Sequence, residues 1–134
     1  LDVNIIEGNI QNTQLDDSFI AVICNQFLLT GDFNDVKSIF TAAKEMNIGR
    51  YYQQKKKHLA AIERFKVVIN DYNTTAQTPE ALYRLTESYL SLGIIEEAKK
   101  TTAVLSYNFK ESNWYKLSYD LFRKYGYKKN EKQE

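Results

Sequence analysis

Shifted by 37 residues, the chain matches itself: Tyr52 falls on Tyr89, Ala61 on Ala98, Ile48 on Leu85, Val67 on Val104 and Tyr72 on Phe109. A third copy opens where Leu82 falls on Tyr119 and Leu85 on Phe122. A period of this size belongs to solenoids, whose units bury their apolar faces only by stacking on their neighbours. Every strongly periodic segment repeats at 3.6 residues and none at 2, so the expected fold is all-α, an α-solenoid of five to six helices stacked as hairpins. Such a chain reads as a binding scaffold before it reads as an enzyme.

Residues 1–16, with Gly8 and several Asn and Gln, lack helical spacing and are expected to form a poorly ordered lead-in. The repeat domain is expected over 17–124, followed by a charged tail at 125–134. Phe19, Val22, Ile23 and Phe27 give a helix stopped at Gly31, and Cys24 inside it reads as a small buried hydrophobe. Val36, Ile39, Phe40, Ala43, Met46, Asn47 and Tyr51 then continue one stripe without proline, which predicts a nearly continuous helix over 33–54. Gly49 weakens that helix, and close approach of a neighbouring helix would account for it. A turn is expected at Lys55, Lys56, Lys57 and His58, then a helix over 59–72 with Ala61, Phe65, Val68 and Tyr72 inward. Thr78 is expected as the N-cap of the next helix, ahead of Pro79 and Glu80. The helix after Gly93 should turn Ala98, Val104 and Leu105 inward and pair Glu96 with Lys100. Ser112 or Asn113 should cap the last helix, which carries Trp114, Leu117, Leu121 and Phe122.

The chain has 134 residues and a net charge of +1, which leaves no electrostatic footprint for nucleic acid. Its longest apolar stretch, FIAVIC followed by NQFLLTG, is broken by Asn25 and Gln26 and is too short to span a bilayer. One His and one Cys provide no ligand set for a metal, and no phosphate loop or nucleophile elbow occurs, so no enzyme activity and no cofactor are expected. Most of the ten tyrosines occupy repeat positions that fill space between helices. Leu1 is not an initiator methionine and no leader is evident, so the chain reads as a fragment or a processed product.

Arg64 is the sharpest candidate for a partner-binding residue. It shares a stripe with Ala60 and Val67, turned away from the core stripe, and no acid lies three or four residues from it on its own helix. An outward cation among small apolar neighbours suits an interface anchor, for which arginine is enriched. The alternatives are an Arg lying along the surface or a pair with an acid of the adjacent helix. Lys57 and His58, at the end of the lysine run, are read either as an anionic docking patch or as a solvated turn.

The spacing of Ile48, Gly49, Tyr52, Ala61 and Phe65, and of Tyr89, Gly93 and Ala98, resembles a tetratricopeptide repeat. From about 43 to 124, the strings AAKEMNIGRYYQQKKKHLAAIERFKVVINDY, TPEALYRLTESYLSLGIIEEAKK and AVLSYNFKESNWYKLSYDL resemble the carboxy-terminal half of the BamD (ComL/YfiO-type) family of outer-membrane assembly lipoproteins. The resemblance implies a scaffold of the β-barrel assembly machinery at the periplasmic face of the bacterial outer membrane. Its partners would be the POTRA region of BamA and accessory assembly lipoproteins, with the full-length family member anchored to the membrane by lipid and this chain expected to be without that anchor. It further implies that an arginine at the place of Arg64 faces an acidic residue of the barrel-proximal POTRA domain. The other expectation for such a chain is a generic tetratricopeptide adaptor that takes a peptide in its concave groove.

Overall fold

The computed structural model describes residues 33–130, with side chains described for 36–125. The helix expected between Ser18 and Thr30, the lead-in at 1–16 and Cys24 lie outside the described residues. Within them are five helices and no strand: α1 (Phe33–Gln54), α2 (His58–Asp71), α3 (Thr78–Ser91), α4 (Ile95–Asn108) and α5 (Asn113–Asn130). Each packs on the next, and α1, α3 and α5 also touch in turn, so the chain stacks as successive hairpins. The last helix runs past residue 124 to Asn130.

The 37-residue repeat holds in the backbone, bond by bond. Lys56 N–H donates to Gln53 O at 3.0 Å as Gly93 N–H does to Leu90 O, and Lys57 N–H donates to Tyr52 O at 2.9 Å as Ile94 N–H does to Tyr89 O. At the other ends, Tyr72 and Phe109 close α2 and α4 by donating to Val68 O and Leu105 O. These turn bonds satisfy carbonyls that the helices would otherwise leave orphaned.

The core joins Ala42 and Met46 of α1, Ala61, Phe65 and Val68 of α2, and Ala81, Leu85 and Tyr89 of α3. Gly49 sits under the ring of Phe65: a Cβ there would meet Cδ1 at 2.8 Å and Cζ at 2.9 Å. The glycine expected to admit a close neighbour therefore does so, and the neighbour is the largest core residue of α2.

Several local expectations need correction. Gln77, not Thr78, is the N-cap of α3, and Pro79 lies in the first turn. The Thr78 hydroxyl donates backwards to Asn73 O at 3.0 Å, tying down the preceding loop instead of capping N–H groups. Val104 points out of α4, because Ala98, Thr101 and Leu105 already occupy its inward face. Leu117 and Tyr51 are likewise exposed, and Tyr52 packs against the core instead. Lys100 pairs with Glu97 and Lys99 with Glu96, both at three residues' spacing, in place of the expected pair of Glu96 with Lys100. Ser112 does cap α5, its Oγ accepting the Trp114 N–H at 3.2 Å.

Buried and half-buried hydroxyls join α3, α4 and α5 at one level. Thr86 and Thr101 approach to 2.8 Å and Thr102 and Ser118 to 3.1 Å, and Thr86 also bonds to Leu82 O. Each of these hydroxyls has a partner, as burial requires.

Candidate functional site

Helix α2 carries the expected site residues along its outer side. Ala60 and Val67 are half-buried, as is Arg64, and Lys57 and His58 stand at the helix entrance. Lys57 is the N-cap and its carbonyl accepts the Ala61 N–H. His58 is half-buried, and its Nδ1 is buried with no hydrogen-bond partner.

Arg64 is not left unpaired. Its Nη1 lies 3.2 Å from Glu45 Oε2 of α1, with the arginine side chain 43% exposed and the glutamate 14%. The spacing rule that found no acid on its own helix could not see Glu45, which the antiparallel packing of α1 on α2 brings alongside. Thr101, the repeat-equivalent of Arg64, also bonds to the preceding helix, through Thr86. Position 64 therefore ties its hairpin together, while much of the guanidinium stays open to solvent. An ion pair this exposed contributes about 1 kcal/mol or less.

A second polar constellation, which sequence reasoning missed, covers the face shared by α1, α3 and α5. Arg50 bonds to Glu80 at 2.6 Å and to Asn47 at 2.7 Å. Arg84 reaches Glu80 at 3.4 Å and Glu87 at 3.1 Å. Gln53 donates to Glu87 and Ser88 at 3.2 Å. Tyr83 donates to Glu87 at 2.9 Å and packs against Trp114 with ring centroids 5.4 Å apart. Burial pushes the Tyr83 phenol up to about 12, helped by the hydrogen bond and the charge of Glu87 and opposed by Arg84. Glu80 thus engages both arginines and Glu87 engages Arg84, and the face presents little net charge. The spacing of Glu80, Arg84 and Glu87 along one helix was visible in the sequence, whereas the reach of Arg50 and Gln53 across to α3 was not.

Beside this network, Glu87, Leu90, Ser91, Leu121 and Tyr125 line a shallow cleft of about 160 Å³. Ligand pockets usually run from about 300 Å³ upwards. Among the described residues no group of three or more His, Cys, Asp and Glu could hold a metal ion, and no helix is long and apolar enough to cross a membrane.

Comparison with known proteins places similarity over these same elements. The model of a family described as YfiO, outer membrane lipoprotein, matches residues 32–105, from the start of α1 through most of α4. The outer membrane protein assembly factor BamD of Rickettsia prowazekii is 52% identical over 91 residues, covering 68% of this chain and 36% of the relative. The protein of that name from Caulobacter vibrioides is 53% identical over 85 residues, covering 63% of this chain and 28% of the relative. The Neisseria meningitidis protein is 35% identical over 68 residues, covering 51% of this chain and 26% of the relative. The chain thus spans about a third or less of the length of these relatives. No solved structure matches it.

Proposed function

This chain belongs to the YfiO family of outer membrane lipoproteins, and from that premise we propose that it is a non-catalytic scaffold of the outer-membrane β-barrel assembly machinery. It works at the periplasmic face of the outer membrane and docks the POTRA region of BamA, together with accessory assembly lipoproteins, through the outer side of α2. The observation that supports this reading is the open guanidinium of Arg64, flanked by Ala60 and Val67, within the stretch that matches the family. Its pair with Glu45 holds the guanidinium at a fixed place on the surface, which lowers the entropic cost of engaging an acidic partner. Lys57 and His58 extend the same surface to the helix entrance.

The competing reading is a tetratricopeptide adaptor that seats a peptide on the α1, α3 and α5 face. The cleft between α3 and α5 favours it, but Arg50 and Arg84 are already occupied by Glu80 and Glu87 and are poorly placed to clamp a peptide carboxylate. Titration calorimetry of the chain with the isolated barrel-proximal POTRA domain distinguishes the two. Saturable one-to-one binding is expected. Heat from extended peptides and none from the folded POTRA domain would move the assignment to the adaptor.

A further inference from the structure

The carboxy-terminal ends of α1 and α3 lie along one edge of the stack, with the 121–125 stretch of α5 beside the end of α3. Gln53 near the end of α1 bonds to Ser88 of α3, and Leu90 and Ser91 near the end of α3 share a cleft with Leu121 and Tyr125 of α5. The two hairpin turns at this edge are repeats of one another, yet they carry different chemistry. At the position where the second turn has Gly93, φ 75°, the first has Lys56, φ 61°. Glycine adopts that backbone freely, while a residue with a Cβ does so at a steric cost. The first turn bears that cost and carries a lysine at its tip.

Lys56 stands between Lys55 and Lys57, all three exposed and none in an ion pair among the described residues. Large apolar side chains flank them: Tyr51 is 57% and Leu59 68% exposed, and Leu92 and Ile94 protrude from the neighbouring turn. Lys55 Nζ lies 5.8 Å from the centre of the Tyr51 ring, and along α5 Lys124 Nζ sits 5.6 Å from the centre of the exposed Tyr125 ring. The nearby carboxylates are engaged elsewhere: Glu96 and Glu97 by Lys99 and Lys100, Glu87 by Arg84. The edge therefore combines unneutralised cations with exposed aromatic and aliphatic groups, whereas a merely solvated turn needs no apolar rim.

We propose that this edge is an interfacial membrane-binding surface. Lys55, Lys56 and Lys57 take the anionic phosphates of lipid headgroups, and Tyr51, Leu59, Leu92 and Ile94 enter the boundary between headgroups and acyl chains. Charge complementarity selects an anionic bilayer, and the apolar rim selects a bilayer over a soluble polyanion. The inference does not rest on docking by α2, with which it shares only Lys57.

The test is flotation of the full chain with phosphatidylethanolamine vesicles containing phosphatidylglycerol, against neutral phosphatidylcholine vesicles. Binding to the anionic vesicles alone is expected, weakening as salt is raised. Lys55→Glu/Lys56→Glu should lower it at least about tenfold, since each lysine near an anionic surface contributes about fivefold. Tyr51→Ser/Leu59→Ser should lower it as well, with helicity unchanged, because both side chains are exposed. Lys56→Gly adds a readout that misfolding cannot imitate: it relieves the backbone cost and should raise the melting temperature while weakening vesicle binding. Failure of the wild-type chain to float with anionic vesicles, equal flotation with neutral ones, or wild-type flotation of the lysine variant overturns the proposal. So does a lysine variant that loses an acidic protein partner while the wild-type chain ignores vesicles.

Discussion

At Gly49 two residue-level effects oppose each other, and the packing decides between them. In an open helix, alanine in place of glycine stabilises by about 1 kcal/mol. Here the new methyl would press into the Phe65 ring, whose Cδ1 and Cζ lie 2.8 and 2.9 Å from the Cβ position. Gly49→Ala should therefore destabilise by about 1 to 3 kcal/mol, as overpacking does, seen as a lower urea midpoint at unchanged slope. A raised midpoint would mean that α2 can yield. The sequence marked Gly49 as a point of close approach, because a lone glycine in a periodic run needs a reason, but it could not name Phe65. Arg64 was legible to the same depth: its outward stripe follows from helical spacing, whereas Glu45 becomes a neighbour only once α1 folds back along α2. Tyr83 offers a check on the polar face. Its phenol is held up to about 12, while an unfolded tyrosine loses its proton near pH 10. Between those values the unfolded chain releases a proton that the folded chain keeps, so stability falls as pH rises. Tyr83→Phe should flatten that alkaline decline in urea titrations from pH 10 to 12, and an unchanged decline would show that burial and the Glu87 bond do not hold the phenol up in solution.

Among the elements, α1 and the two hairpin turns were the most legible, for a physical reason. An unbroken stripe without proline propagates as one helix, and a repeat reuses the same turn bonds, so its period fixes where chain reversals fall. Faces were less legible where apolar residues stand at both inward and outward positions. Val104 and Leu117 match the pattern of a core residue but lie on helices whose inward faces are filled by Ala98, Leu105 and Ser118. The hydroxyl ladder of Thr86, Thr101, Thr102 and Ser118 gave no signal, because small polar residues read as surface until three helices close over them. Tyr89 is the element-level test of the repeat alignment. It is buried, packs into the core and stands where the first repeat has Tyr52. Tyr89→Ala should cost about 3 to 5 kcal/mol through lost burial and an unfilled cavity. Wild-type stability in denaturant titration would mean that the stacked hairpins do not share the core described.

For the molecule as a whole, the two exposed surfaces divide the chemistry: the outer side of α2 offers a held cation among small apolar residues, and the edge of the stack offers lysines within an apolar rim. The fold class and family were readable because a 37-residue self-match and a family-like stretch from about 43 to 124 constrain many positions at once. The proposed docking role rests on resemblance, since an interface anchor and an intramolecular ion pair require the same residue type. The measurement that separates those two is calorimetry of a charge swap, Arg64→Glu/Glu45→Arg, against the barrel-proximal POTRA domain. The swap restores the pair between α1 and α2 with its polarity reversed, so helicity and melting should match wild type. If Arg64 anchors the partner, affinity falls by about 2 kcal/mol or more, roughly 30-fold, because a glutamate now faces the partner's acid. Wild-type affinity in a folded swap variant would contradict the account and leave Arg64 as a hairpin tie alone.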